Sequence, residues 1–97
     1  MIPASLIAKN AAKLVGEDRN DTHGEKDKNF ANIAALWNAY LSIRPDPFAP
    51  LTALDHAHMM VLLKVARTQL GSYNLDDYVD MAGYASCAGE VASKSCA

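Results

Sequence analysis

Three prolines within six residues, Pro45, Pro47 and Pro50, cut this chain near its middle and decide most of what it can become. Proline has no amide hydrogen to donate and pushes its predecessor out of the helical region. The run Arg44-Pro45-Asp46-Pro47-Phe48-Ala49-Pro50 therefore cannot continue a helix, and we expect an extended link that turns the chain around. The flanking segments have the opposite character. From about Lys28 to Ile43, the residues Phe30, Ile33, Ala34, Trp37, Tyr40 and Leu41 recur at the spacing of one helix face. Beyond the link, Thr52-Ala53-Leu54-Asp55 reads as a capping box, with the carboxylate three residues after the N-cap. The helix it opens is expected to run from residue 53 to about Leu70, before Gly71. Met59, Met60, Val61, Leu62, Leu63, Val65 and Ala66 cover most of its circumference, which places such a helix at the centre of a fold or between subunits.

Two further helices complete the pattern. Pro3 suits a first helical turn, Ile7, Ala11, Leu14 and Val15 share a face, and Gly16 supplies a stop, so the first helix spans about 3–15. A charged loop from Glu17 to Lys28 follows, long for a helix–helix connection. The last helix is expected over about 76–93, with Asp76 and Asp77 complementing the positive end of its dipole. Ala82, Gly83, Ala85, Ser86, Ala88 and Gly89 give it little bulk, and a mid-helix glycine costs about 1 kcal/mol against alanine. Close approach of another helix is the usual structural return. The expected fold is a single all-α domain over 1–97, a compact four-helix unit that assembles into a homo-oligomer. Oligomerisation follows from size: 97 residues with 51% apolar but only 7% aromatic content build a modest core.

Composition also narrows function. A net charge of −2 argues against coating extended nucleic acid, which calls for a basic surface. Lys9 and Lys13 interrupt the N-terminal apolar pattern, so it does not read as a secretory signal, and no stretch reaches the roughly 18 apolar residues of a membrane span. Cys87 and Cys96 lie nine helical steps apart, about 13 Å, too far for a disulfide. Free thiols and a cytoplasmic location are the expectation. There is no Gly-rich phosphate loop, Cys/His zinc spacing or nucleophile elbow.

The informative residues are polar ones inside apolar helices. Lys64 and Arg67, one turn apart, have the chemistry to grip a phosphate, Arg as a bidentate fork and Lys as a compact charge. Equally, both could reach solvent or pair with Asp76 and Asp80 on the next helix. Asp77 and Asp80 (i,i+3) and Asp76 and Asp80 (i,i+4) share helix faces, a spacing suited to two carboxylates on Mg²⁺. The plainer reading makes Asp76 or Asp77 an N-cap and Asp80 an ion-pair partner. Tyr84, one turn further, could stack on a base or fill the core. His56 and His58 diverge by about 200° on a helix, make a poor metal pair, and are expected at the surface. His23, beside Gly24 in the charged loop, could touch a ligand or be solvated.

Three stretches together resemble a family of small phage and prophage proteins: Asp18-Arg19…Thr22-His23-Gly24…Asn29-Phe30…Trp37…Tyr40-Leu41, Met59 to Arg67, and Asp76-Asp77-Tyr78-Val79-Asp80-Met81-Ala82-Gly83-Tyr84-Ala85. The chain is also similar to nucleotide-modification-associated domains and, more distantly, to all-α MazG-like nucleotide pyrophosphohydrolases. The resemblance implies that Arg19, His23, Gly24, Lys64, Arg67, Asp76, Asp80 and Tyr84 form one ligand site. His23 stands where the family pattern has tyrosine. MazG-like enzymes hold Mg²⁺ with an ExxE pair and an ExxD pair; Asp77 to Asp80 imitates the second, whereas no ExxE exists and Glu25 and Asp27 would be substitutes. Metal-assisted attack of water loses its scaffold without converging carboxylates.

Three readings follow. The first is a phage-type protein that holds or sequesters a nucleotide or nucleotide-derived signal, with no cofactor, in the host cytoplasm. Arg19, Lys64 and Arg67 would neutralise phosphate while Tyr84 or Trp37 covers the base. The second is a Mg²⁺-dependent nucleoside triphosphate pyrophosphohydrolase with Asp77 and Asp80 as metal ligands and catalytic groups. The third is a structural or protein-interaction module in which Lys64, Arg67, Asp76 and Asp80 form an interhelical salt-bridge network.

Overall fold

The proline link makes the turn that its chemistry demands. In the computed structural model, which describes residues 1–17 and 25–95, it joins α2 (Lys26–Ile43) to α3 (Ala53–Arg67). These lie between α1 (Ala4–Glu17) and α4 (Leu75–Ser95), and the described residues contain no strand. The capping box of α3 is complete: Asp55 N donates to Thr52 Oγ1 at 3.2 Å and Thr52 N donates to Asp55 Oδ2 at 2.8 Å.

Helix ends differ from expectation where side chains intervene. α3 stops at Arg67 rather than Leu70. The Thr68 hydroxyl and amide both donate to Val65 O, at 2.6 and 3.1 Å, tightening the last turn, and Gly71 at φ 73° completes the reversal. α4 begins one residue earlier than Asp76 because Asn74 supplies the cap, its Oδ1 accepting from the Asp76 amide at 3.0 Å.

α3 is the centre of the fold, flanked by α2 on one side and α4 on the other. α2 and α4 both pack on α3 and at most slightly on each other, so the three helices are arranged as a layer. Leu62 lines a groove shared with Tyr40, His58 and the small residues of α4; Leu63 lines a second groove with Phe30, Ile33 and Trp37. Consecutive helical residues diverge by about 100°, so the grooves open on different sides of α3. The buried apolar residues are small or few: Ile33, Ala57, Met59, Ala66 and Ala88, and no large side chain among the described residues is completely enclosed.

α1 stands apart from this layer, with every residue from Ala4 to Val15 exposed. The radius of gyration is 16.1 Å, against about 12.5 Å for a compact domain of this length, so the chain is more extended than the compact unit expected from its sequence.

Ala66, 1% exposed, marks where α3 has no room to spare. Ala66→Leu should lower stability by about 1–3 kcal/mol through overpacking, read as a lower midpoint in urea unfolding at unchanged slope.

Candidate functional site

The polar side chains gather at opposite ends of the layer. At the proline corner, the Asp55 carboxylate receives four donors. Tyr40 Oη donates to Oδ1 at 2.7 Å; Thr52 N and Thr52 Oγ1 donate to Oδ2 at 2.8 and 3.0 Å; and Arg44 Nη2 lies 3.3 Å from Oδ2. Arg44 also donates to Pro50 O at 3.1 Å, pinning the far end of the link. Tyr40 Oη lies 3.0 Å from His58 Nδ1. Since the one phenolic proton goes to Asp55, Nδ1 of a neutral His58 ring must carry the proton of this second bond, which leaves Nε2 as an acceptor.

His58 is thus half-buried and held, contrary to the surface position expected for it, because Tyr40 on α2 reaches across to its ring; His56 is exposed. The sequence signal was available: Tyr40 and Arg44 are one turn apart, as are Asp55 and His58, on the two helices that the link forces together. With one donor on Oδ1 of Asp55 and three groups gathered on Oδ2, this corner is a clamp.

The clamp sets two titrations. The Tyr40 hydroxyl above all, then the Thr52 amide, hold the Asp55 carboxyl below its usual value. Burial, then the hydrogen bond from Tyr40 to Asp55 and the charge of that carboxylate, push the Tyr40 phenol from 10.0 up to about 12. A depressed carboxyl stabilises the fold above its unfolded pKa of about 4, and that contribution disappears as pH falls through the lower folded value. A raised phenol stabilises below its unfolded value of 10.0 and loses that contribution as pH rises towards about 12.

At the other end lie the residues singled out by their chemistry. Lys64 Nζ is 2.9 Å from Asp80 Oδ2, and Arg67 Nε is 3.6 Å from Asp77 Oδ1. Asp77 is buried and takes the place beside Arg67 that was expected of Asp76, which remains exposed in the first turn of α4. Tyr84 is half-buried one turn beyond Asp80. Trp37 is tied into the α2–α3 seam, its Nε1 donating to Met59 O at 2.7 Å. Arg19, His23 and Gly24 lie outside the described residues.

The bonds Tyr40–Asp55 and Trp37–Met59 run antiparallel. Continuing that register two turns puts Asn29 of α2 level with Arg67 of α3. Asn29 is 8% exposed, and its Oδ1 has no hydrogen-bond partner. A buried amide oxygen left unpaired is costly and rare enough to call for an explanation. Its role was missed in the sequence, where it is one polar residue beside Phe30.

Arg67 and Asp77 meet at one end of α3, with Lys64–Asp80 one turn inward, and the helical register sets Asn29 of α2 at the same height. Asp77 and Asp80, the two metal ligands of the hydrolase reading, each face a cation, and the described residues contain no group of three or more His, Cys, Asp or Glu placed to hold a metal ion.

With this geometry established, comparison with known proteins places the chain. It belongs to a small phage protein family: the model of a domain of unknown function, DUF6378, matches residues 6–92. Among its relatives are the gene 55 protein of Mycobacterium phage D29, 36% identical over 81 residues, and the gene 55 protein of Mycobacterium phage L5, 39% identical over 79. These alignments cover 84% and 81% of this chain but 50% and 47% of the relatives, so the chain spans about half the length of the curated proteins it matches. No solved structure matches it significantly. Among the described residues, no helix is long and apolar enough to cross a membrane.

Two measurements check the site. In Asp55→Asn the acid limb of the stability profile below about pH 4 should flatten, and in Tyr40→Phe the loss between pH 10.0 and about 12 should flatten, both read from urea midpoints across pH. Removing one member of the more buried pair, as in Asp77→Ala, should cost about 3–5 kcal/mol. The Lys64–Asp80 pair is more open, with Asp80 44% exposed on its side chain, so Asp80→Ala should cost less than Asp77→Ala.

Proposed function

We propose that this is a phage nucleotide-binding protein that holds or sequesters a nucleotide, or a nucleotide-derived signal, at the end of the layer formed by Asn29, Lys64, Arg67, Asp77 and Asp80. The observation that carries the reading is the buried Asn29 Oδ1, unpaired at the level of two cations set one turn apart in an otherwise apolar seam. Lys64 and Arg67 supply charge for a phosphate, and a buried amide oxygen accepts from a base amine or a sugar hydroxyl. Tyr84, one turn beyond Asp80, would cover a base, and Arg19, His23 and Gly24 of the charged loop would contact the same ligand. The protein acts in the host cytoplasm as a homo-oligomer, and a role against host defence signals fits sequestration. This function comes by analogy with nucleotide-handling families rather than from the relatives' names.

Two other readings compete. In the MazG-like reading, Asp77 and Asp80 hold Mg²⁺ for pyrophosphohydrolysis, and Lys64 or Arg67 holds the substrate phosphates. In the structural reading, the two ion pairs are a static network; the 2.9 Å Lys64–Asp80 contact favours it.

Lys64 separates them, because removing it leaves behind only Asp80, whose side chain is 44% exposed and reaches solvent. Calorimetric titration with nucleoside triphosphates, cyclic dinucleotides and ADP-ribose should find a ligand whose affinity falls at least about tenfold in Lys64→Met, at a stability cost under about 1 kcal/mol. Binding of none of these would sink the proposal. Mg²⁺-dependent pyrophosphate release that vanishes in Asp80→Asn would establish the hydrolase instead.

A further inference from the structure

The accessible surface of the chain is 7029 Å². A compact monomer of 10.4 kDa exposes about 5,400 Å², so roughly 1,600 Å² per chain is surface that a folded protein of this mass ordinarily covers. Covering that excess on two chains would bury about 3,200 Å², within the range of about 2,000–5,000 Å² for obligate homodimers.

The location of the excess indicates what covers it. α1 is a 14-residue helix presenting Leu6, Ile7, Leu14 and Val15 to solvent, each at least 48% exposed. An isolated helix of this length is marginal in water and needs an apolar contact. The three-helix layer offers the reciprocal shape: a groove of about 490 Å³ between Val61 and Leu62 of α3 and the small residues Ala85, Ala88, Gly89 and Ala92 of α4. Tyr40 and His58 also line this groove, but its α4 wall is made of small residues while large ones stand on the ridge, the relation by which helices pack.

Gly89 makes the same point independently. A Cβ built there meets nothing within 4 Å, so the return expected for a mid-helix glycine is absent within the chain. Nor does the chain's own α1 supply it.

We infer that the protein is an obligate homodimer in which α1 of each copy seats its Leu6–Val15 ridge in the α3–α4 groove of the other. The exchange is two-fold and closed: the same two surfaces, ridge and groove, are satisfied on both copies at once. It supplies the second layer that a helical domain needs to enclose a core. The inference deepens the homo-oligomer part of the proposed function and is independent of any nucleotide.

Native mass spectrometry with light scattering at micromolar concentration tests it on the full chain, using wild type, Leu6→Glu/Leu14→Glu and Gly89→Leu. The expected result is a wild-type dimer and a monomer for each variant. Gly89→Leu has open space in the isolated chain and should lose the dimer only because the groove is filled. Should Gly89→Leu fail to fold, as read by circular dichroism, the α1 variant still decides, since its substitutions lie outside the layer. A wild-type monomer overturns both this inference and the oligomeric part of the proposed function. A wild-type dimer that survives the α1 substitutions overturns the ridge-and-groove assignment alone. So does one that survives Gly89→Leu. In each case the calorimetric result for nucleotides stands or falls separately.

Discussion

The arrangement of this protein depends on one carboxylate. Asp55 caps α3 from within, accepting from both the amide and the hydroxyl of Thr52, and ties the helix to α2 through Tyr40 and Arg44. Three prolines could hold the link in many open shapes; they forbid a helix without choosing the angle between its neighbours. The choice comes from the carboxylate, on which Tyr40, Arg44 and Thr52 converge. Arg44 carries the constraint on to Pro50 O, so the clamp holds both the helices and the segment between them.

From that corner the structure extends as a layer in which α3 serves both neighbours. Such a layer uses little chain but encloses little, which is why its buried apolar residues are mostly alanine with Ile33 and Met59. The seam towards α4 becomes polar as it leaves the corner. Arg67 and Asp77 are largely buried there, so α4 is positioned partly by charge. Burying charge is a weak source of stability, yet breaking one member is expensive, so the seam is specific more than strong. The same end holds the unpaired oxygen of Asn29. A clamp with every group paired at one end and an unpaired group at the other assign stability and chemistry to different places.

Much of the helix content was legible because the signals are local. The proline run, the Thr52–Asp55 capping box and the apolar face of α2 each act through neighbours in sequence. What escaped was governed by neighbours in space. His58 reads as a surface residue until the link brings Tyr40, eighteen positions earlier, alongside its ring. Asp77 could not be preferred to Asp76 as the partner of Arg67, because adjacent residues at a helix start differ only in which way the next helix turns. Asn29 is ordinary as a letter and unusual only once burial and register are known. The end of α3 moved because Thr68 turned its hydroxyl back onto Val65, a competition between side chain and backbone that periodicity does not register.

The seam between α2 and α3 also carries its own reporter. Trp37 is the single tryptophan of the chain, and its indole N–H is fixed on Met59 O while its ring borders the groove with Phe30 and Leu63. Tryptophan emission, excited selectively over the four tyrosines, therefore comes from one site whose hydrogen bond and apolar neighbours both depend on the two helices staying together. Separation of that seam exchanges a carbonyl for water around one fluorophore, giving an emission change free of overlapping signals and requiring no label.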